Sequence, residues 1–253
     1  MLEVHSLWSK RACREILRKP GDFIPLLIDI LNKAINDPES LGSGDPHIPA
    51  ALLLAQLREK QAYPLLVDLI NYDHDSVDYL WGDVLTELYV GMLRDTFNGD
   101  ISLLKKVIEN RSVSPWARSM AVYAWGMYYL DGHIDRQEIV SYFRHLIHEV
   151  HAGKLNDDDK IVLSYIADTI REQQLEELID DVQTIYAKNA IDKYLCGSKE
   201  DYVRDFQNPM YGPAHRHIDD VILELEGWHW FKEKDPDEED DYDDNDYDDD
   251  FEP

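Results

Sequence analysis

Three histidines at three-residue steps, His145, His148 and His151, with Glu149 among them, are the first groups in this chain that could hold a metal or move a proton. On a helix His145 and His148 share a face on adjacent turns, while His151 has rotated away. A metal centre needs convergent ligands, usually with a carboxylate or cysteine from elsewhere, and the H-E-x-x-H order of zinc proteases is absent. The same residues also suit a solvated helix face ending in histidines at the negative pole of the helix dipole. Asp73, His74, Asp75 and Asp78 mix oxygen and nitrogen ligands, but an Asp between helices is also the ordinary cap of the next helix. Cys13 and Cys196 stand far apart in no motif, which argues against a disulfide framework and places the chain in a reducing cytoplasm. No nucleophile elbow or phosphate-binding glycine loop is present, and the carboxylates are too many for one pair to stand out. The residues therefore predict no catalytic group, no cofactor and no metal, and a protein that is not an enzyme.

The elements that would position these groups are announced by a repeat. Residues 25–32 read PLLIDILN and residues 64–71 read PLLVDLIN, 39 residues later, with five of eight positions identical. The unit reduces to two apolar doublets four residues apart, Leu26-Leu27 with Ile30-Leu31 and Leu65-Leu66 with Leu69-Ile70. It returns at Leu103-Leu104 with Val107-Ile108, at Tyr142-Phe143 with Leu146-Ile147, and as a degenerate copy at Leu178-Ile179 with Val182. That spacing makes a helical stripe, not the alternating face of a strand. A second helix precedes most copies: Ala51 to Leu57, a longer one with Val84, Leu85, Leu88 and Tyr89, then Ala121, Val122 and Trp125, and Val162, Leu163 and Ile166. Pro49, Pro115 and the acidic run 156–159 mark helix starts. Pairs of helices at this interval cannot bury their own stripes, so the predicted fold is all-α, an α–α superhelix of the HEAT or armadillo kind. The helical-repeat domain spans residues 1–232, with a cap helix near 4–18, repeats over about 20–190 and a C-terminal cap near 214–231 whose stripe is Ile218, Val221, Ile222 and Leu225. Residues 194–213 read as irregular. Trp81-Gly82 and Trp125-Gly126 recur as core tryptophans, each beside a glycine that lets a neighbouring helix approach.

The net charge of −27 is uneven. Residues 233–252 hold fourteen acids against Lys234, and the rest of the chain still carries −14. An acidic body repels phosphate, which disfavours direct binding of DNA or RNA. Residues 233–253 have too little apolar content to fold alone and are expected to form a disordered acidic tail. The longest uncharged apolar run, Ser119 to Leu130, is too short to span a bilayer, and the N-terminus lacks the apolar core of a secretory signal.

The runs 113–126 (VSPWARSMAVYAWG), 132–143 (GHIDRQEIVSYF) and 177–182 (ELIDDV), followed by Ile191 and Asp192, resemble a bacterial family of unknown function with HEAT-like helices, over roughly residues 20–205. The resemblance implies a repeat fold and supplies no catalytic residues. Some relatives end in a small cysteine-rich metal module; this chain has no cysteine after Cys196, so no zinc is implied.

Second helices of stacked pairs usually line the concave face, so Asp29, Asn32, Asp68 and Asn71, at matched repeat positions, are expected to form an acidic polar ladder there. The expected function is an interaction scaffold for a protein with a basic surface. Trp228 and Trp230 are candidate anchors beside the tail, or pins of the cap, and Tyr242, Tyr247 and Phe251 are candidate contacts within it. Two other classes stay open: an acidic decoy or chaperone that occupies a partner's nucleic-acid-binding surface, and an enzyme built on carboxylates.

Overall fold

The computed structural model describes residues 9–41, 45–152, 156–208 and 215–226. The helices are, in order, α1 (Lys10–Arg18), α2 (Pro20–Asn36), α3 (His47–Gln56), α4 (Ala62–Leu69) and α5 (His74–Trp81). Next come α6 (Val84–Glu87), α7 (Tyr89–Thr96), α8 (Ser102–Glu109), α9 (Pro115–Leu130) and α10 (Arg136–Ala152). The last are α11 (Asp157–Glu172), α12 (Ile179–Ala187), α13 (Lys193–Cys196), α14 (Lys199–Gln207) and α15 (Val221–Glu226). No strand occurs among the described residues, so the protein is all-α.

Local chemistry sets several of the starts. Pro115 opens α9 from its first position, and Asn156 and Asp159 close a capping box on α11, with Asn156 Oδ1 accepting from Asp159 N at 2.8 Å. Asp73 caps α5 through Ser76 N at 3.0 Å.

Packing sorts the helices into two series. In the first, α3, α7, α9 and α11 pack in succession, and α11 continues onto α13 and α14. In the second, α2, α4 and α8 pack in succession, and α10 packs on α12. The series are joined by α2 and α4 on α3, by α8 on α9, and by α10 on α9 and α11. Their shared core takes the second member of the first doublet in four copies, Leu27, Leu66, Leu104 and Phe143, and the first member, Leu178, in the degenerate fifth, all buried. The other member turns about 100° away. Leu26 is 56% exposed, and Leu65 and Leu103 are half-buried, so in these three copies the buried stripe is narrower than the doublets suggest, whereas Tyr142 in the fourth is buried.

Trp81 and Trp125 are core residues. Trp81 donates Nε1 to Leu69 O at 3.2 Å, edge-on to His47 and Tyr89. Trp125 stacks on Tyr142 at 4.2 Å, with Lys105 Nζ 5.1 Å from the Trp125 ring centroid and 5.0 Å from that of Tyr142. Gly126 admits α11 closely, as the sequence suggests. Gly82 does not serve that way: it ends α5 at a φ of 45°.

Three expectations are corrected. The helix read across Val84 to Tyr89 is two elements, α6 and α7, parted at Leu88 with φ of −125°. Among the described residues after 194 the chain is largely helical, because Ser198 and Asp201 form a capping box and Tyr202 and Phe206 bury one face of α14. The last helix begins at Val221, not near His215; residues 215–220 carry no helix because side chains of other elements take their backbone groups.

That segment answers a need of α3. His47 through Ala55 are all buried, and a helix covered on every side needs a neighbour on every side. α2, α4 and α7 take part of that surface, and α15 covers more of it.

Candidate functional site

The matched positions of the second series lie at its surface. Asp29, Asp68 and Asn71 are exposed, and Asn32 is half-buried with its Nδ2 donating to Ile28 O at 3.1 Å. Tyr72 Oη donates to Ile35 O at 3.2 Å, tying the end of one repeat to the end of the next. The ladder is not acidic throughout. The slot of Asp29 and Asp68 is filled by Lys106 and His145 in the next two copies, and the slot of Asn32 and Asn71 by Glu109 and His148. Partial desolvation raises the Asp68 carboxyl, and Lys106 pulls it back. The 38- and 39-residue offsets already carried this signal, and the reading of two copies alone missed it.

His145 lines a cavity of about 300 Å³ with Glu109, Arg111, Arg118 and Glu149 over an apolar floor that includes Leu146 and Ile166. Arg118 is fully buried; its Nε donates to Ile108 O at 2.9 Å, and burial lowers its pKa while Asp159 opposes the shift. Asp159 Oδ2 lies 3.2 Å from Arg111 Nη2, and its Oδ1 is buried with no hydrogen-bond partner. The lining thus sets two guanidiniums against two carboxylates, with Asp159 paired to Arg111 outside it. His148 turns elsewhere, to Asp181 Oδ1 at 3.1 Å, beside Arg144 on the same carboxylate. The His151 side chain falls outside the described residues, and the pair that is described does not converge on one point. Among the described residues no group of three or more His, Cys, Asp or Glu is arranged to hold a metal. Asp73 acts as a cap, its carboxyl held low by the Ser76 backbone and hydroxyl. Cys13 and Cys196 are buried, and burial pushes the Cys196 thiol up to about 12.

The other polar concentration was not legible in the sequence. Residues 215–221 cross α9, α7 and α3, held by side chains. Arg94 Nη1 donates to His215 O at 2.8 Å while gripping Asp131. Asp95, whose side chain is 1% exposed, accepts from Ile218 N at 2.7 Å and meets His217 Nδ1 and Arg58 Nη1, each at 2.5 Å. Arg58 also donates to Ile218 O at 3.1 Å, and Gln56 closes the series on Asp219 O at 2.8 Å and Val221 N at 3.0 Å.

His215 stands against the Tyr123 ring at 4.6 Å with its Nε2 buried and unpartnered. Burial pushes its imidazole down to about 4, with Arg94 adding to the shift. In the unfolded chain that group titrates near its ordinary value of about 6.5. Between those values the unfolded state binds more protons, so stability is complete above the upper one and lost as pH falls toward the lower. From about pH 7 to about pH 5 this site is expected to remove about 2 kcal/mol. Burial raises the Asp95 carboxyl, whose cost is relieved on acidification and so acts in the opposite sense. Urea unfolding of wild type and His215→Phe at both pH values isolates the histidine; identical pH dependence in the two proteins would show that the imidazole is not shielded.

Trp228, Trp230, Tyr242, Tyr247 and Phe251 lie outside the described residues. No helix among the described residues is long and apolar enough to cross a membrane.

Comparison with known proteins gives one family and two relatives. An "Uncharacterized protein" of Chlamydia muridarum (strain MoPn / Nigg) is 24% identical over 229 residues, 87% of this chain and 90% of that protein. An "Uncharacterized protein" of Chlamydia trachomatis serovar D is 28% identical over 141 residues, 54% of this chain and 56% of that protein. No solved structure gives a significant match. The family model described as "Protein of unknown function (DUF1186)" matches residues 4–232, and the chain belongs to that family.

Proposed function

We propose that this chain is a non-enzymatic scaffold that binds a protein with a basic surface, and that its two series of helices wind as a HEAT-like superhelix. The steps of 36 to 39 residues and the alternation of helices between two series support the superhelical reading. One observation carries the binding reading. On packed neighbours α2 and α4, Leu26, Asp29 and Asn32 match Leu65, Asp68 and Asn71, and this stretch exposes both carboxylates with an uncovered leucine beside them. Apolar anchors ringed by charge are the usual composition of a protein contact. The first series offers less, since residues 215–226 already lie across α3 and α7. The acidic charge makes direct nucleic-acid binding and membrane attachment poor alternatives, and a reducing cytoplasm suits two unpaired thiols. Trp228, Trp230, Tyr242, Tyr247 and Phe251 are the further partner contacts of this reading.

Photo-crosslinking residues placed at Asn32 and Asn71 in cells test the surface. The account expects adducts with a protein of basic surface, lost in Asp29→Lys/Asp68→Lys while stability changes by less than about 0.5 kcal/mol. Adducts that survive the double reversal would overturn the reading.

A further inference from the structure

We propose that α3, the turn after it, and α7 form a binding site for an extended acidic peptide of a partner protein, a site that the chain's own residues 215–221 occupy in cis. The contacts are those of a peptide ligand. Asp95, Arg58, Gln56 and Arg94 together engage His215 O, Ile218 N and O, Asp219 O and Val221 N, and these groups belong to any peptide backbone. Specificity comes from Ile218 and Val221, three residues apart and both buried, and from Asp219, whose Oδ1 receives Arg58 Nη2 at 2.7 Å. Residues 215–226 carry Asp219, Asp220, Glu224 and Glu226 against Arg216, and Asp219 meets Arg58, so the matching ligand is acidic and is received by Arg58.

Two features of the wall fit the segment that crosses it. A Cβ on Gly91 would stand 2.8 Å from Arg216 O and 3.0 Å from Ile218 Cδ1, so the absent side chain admits this backbone. Arg58 sits at a φ of 55° just past the end of α3, where glycine is the usual residue. Its left-handed backbone is retained at a position whose guanidinium makes three contacts to the occupant and its anchor: Ile218 O, Asp219 and Asp95. A terminal segment serving only as a lid needs apolar contact; here much of its backbone is read by side chains.

Two measurements test this. Hydrogen exchange on the intact chain should show the Ile218 and Val221 amides opening locally, with little denaturant dependence, while amides of α3 and α7 exchange only through global unfolding. Arg58→Gly suits the backbone of the turn and removes the guanidinium, with its bond to Ala55 O at the end of α3, so it should speed those two amides at least about tenfold and leave α3 before its last turn unchanged. For the site itself, a protease site placed within residues 209–214 of the full chain is cleaved and a labelled peptide of residues 215–226 is added. Saturable exchange into a folded body, competed by unlabelled but not by scrambled peptide and weakened at least about tenfold by Arg58→Gly, is the expected result. Loss of fold on cleavage, absence of saturable exchange, or Ile218 and Val221 protected as strongly as α7 would each overturn the proposal. So would a dimer of the uncleaved chain with exchanged segments, which would make the occupant a second copy.

Discussion

Replacing Arg118 by methionine is expected to lower folding stability by about 2 kcal/mol. Arg118 is 2% exposed, and the charge of Asp159, whose side chain is 1% exposed, acts on it without an ion pair between them. Methionine keeps most of the volume, so the loss is polar: Asp159 keeps Arg111, 49% exposed, and the Asn156 backbone N at 3.3 Å, but no longer has the Arg118 charge near it. Ile108 O loses its donor as well. A lower urea midpoint at unchanged slope is the readout. Adding Asp159→Asn should recover part of the loss, because the two side chains share one charge balance. A loss below about 1 kcal/mol would mean that Arg111 and the cap alone carry Asp159.

Gly126→Ala is expected to cost about 3 kcal/mol, at the upper end for overpacking. A Cβ there would meet Thr169 Cγ2 at 2.5 Å, and Thr169 is fully buried with its Oγ1 donating to Tyr165 O at 2.8 Å. The threonine cannot rotate without giving up that bond, so α9 and α11 must move apart, and with them the contact at the middle of the first series. Thermal or urea unfolding measures it. A cost under about 1 kcal/mol would show that the helices separate freely at this point.

What could be read from the chain follows physical range. Helix identity and the buried doublets follow from a local period of 3.6 residues, and Leu27, Leu66, Leu104 and Phe143 needed no tertiary knowledge. The same rule overextended the stripe to Leu26, because a doublet does not say where the neighbouring helix ends. The Asp29 and Asp68 slots were visible through the repeat, whereas Arg118 and Asp159 are brought together by the packing of α9 on α11. Asp95 was hidden for a similar reason. Its partners His217 and Ile218 lie more than 120 residues on, and no periodicity reports a side chain that bonds a distant backbone. Residues 215–220 read as helix because Ile218, Val221, Ile222 and Leu225 keep helical spacing; side-chain bonds from α3 and α7 won over that local preference.

If a basic partner lies along α2 and α4, its affinity for wild type and for Asp29→Lys/Asp68→Lys, measured from low to high salt, must differ. The account predicts at least about tenfold weaker binding for the variant near 0.1 M salt, with the gap closing as salt rises. Equal affinity for the two proteins at every salt concentration would contradict it.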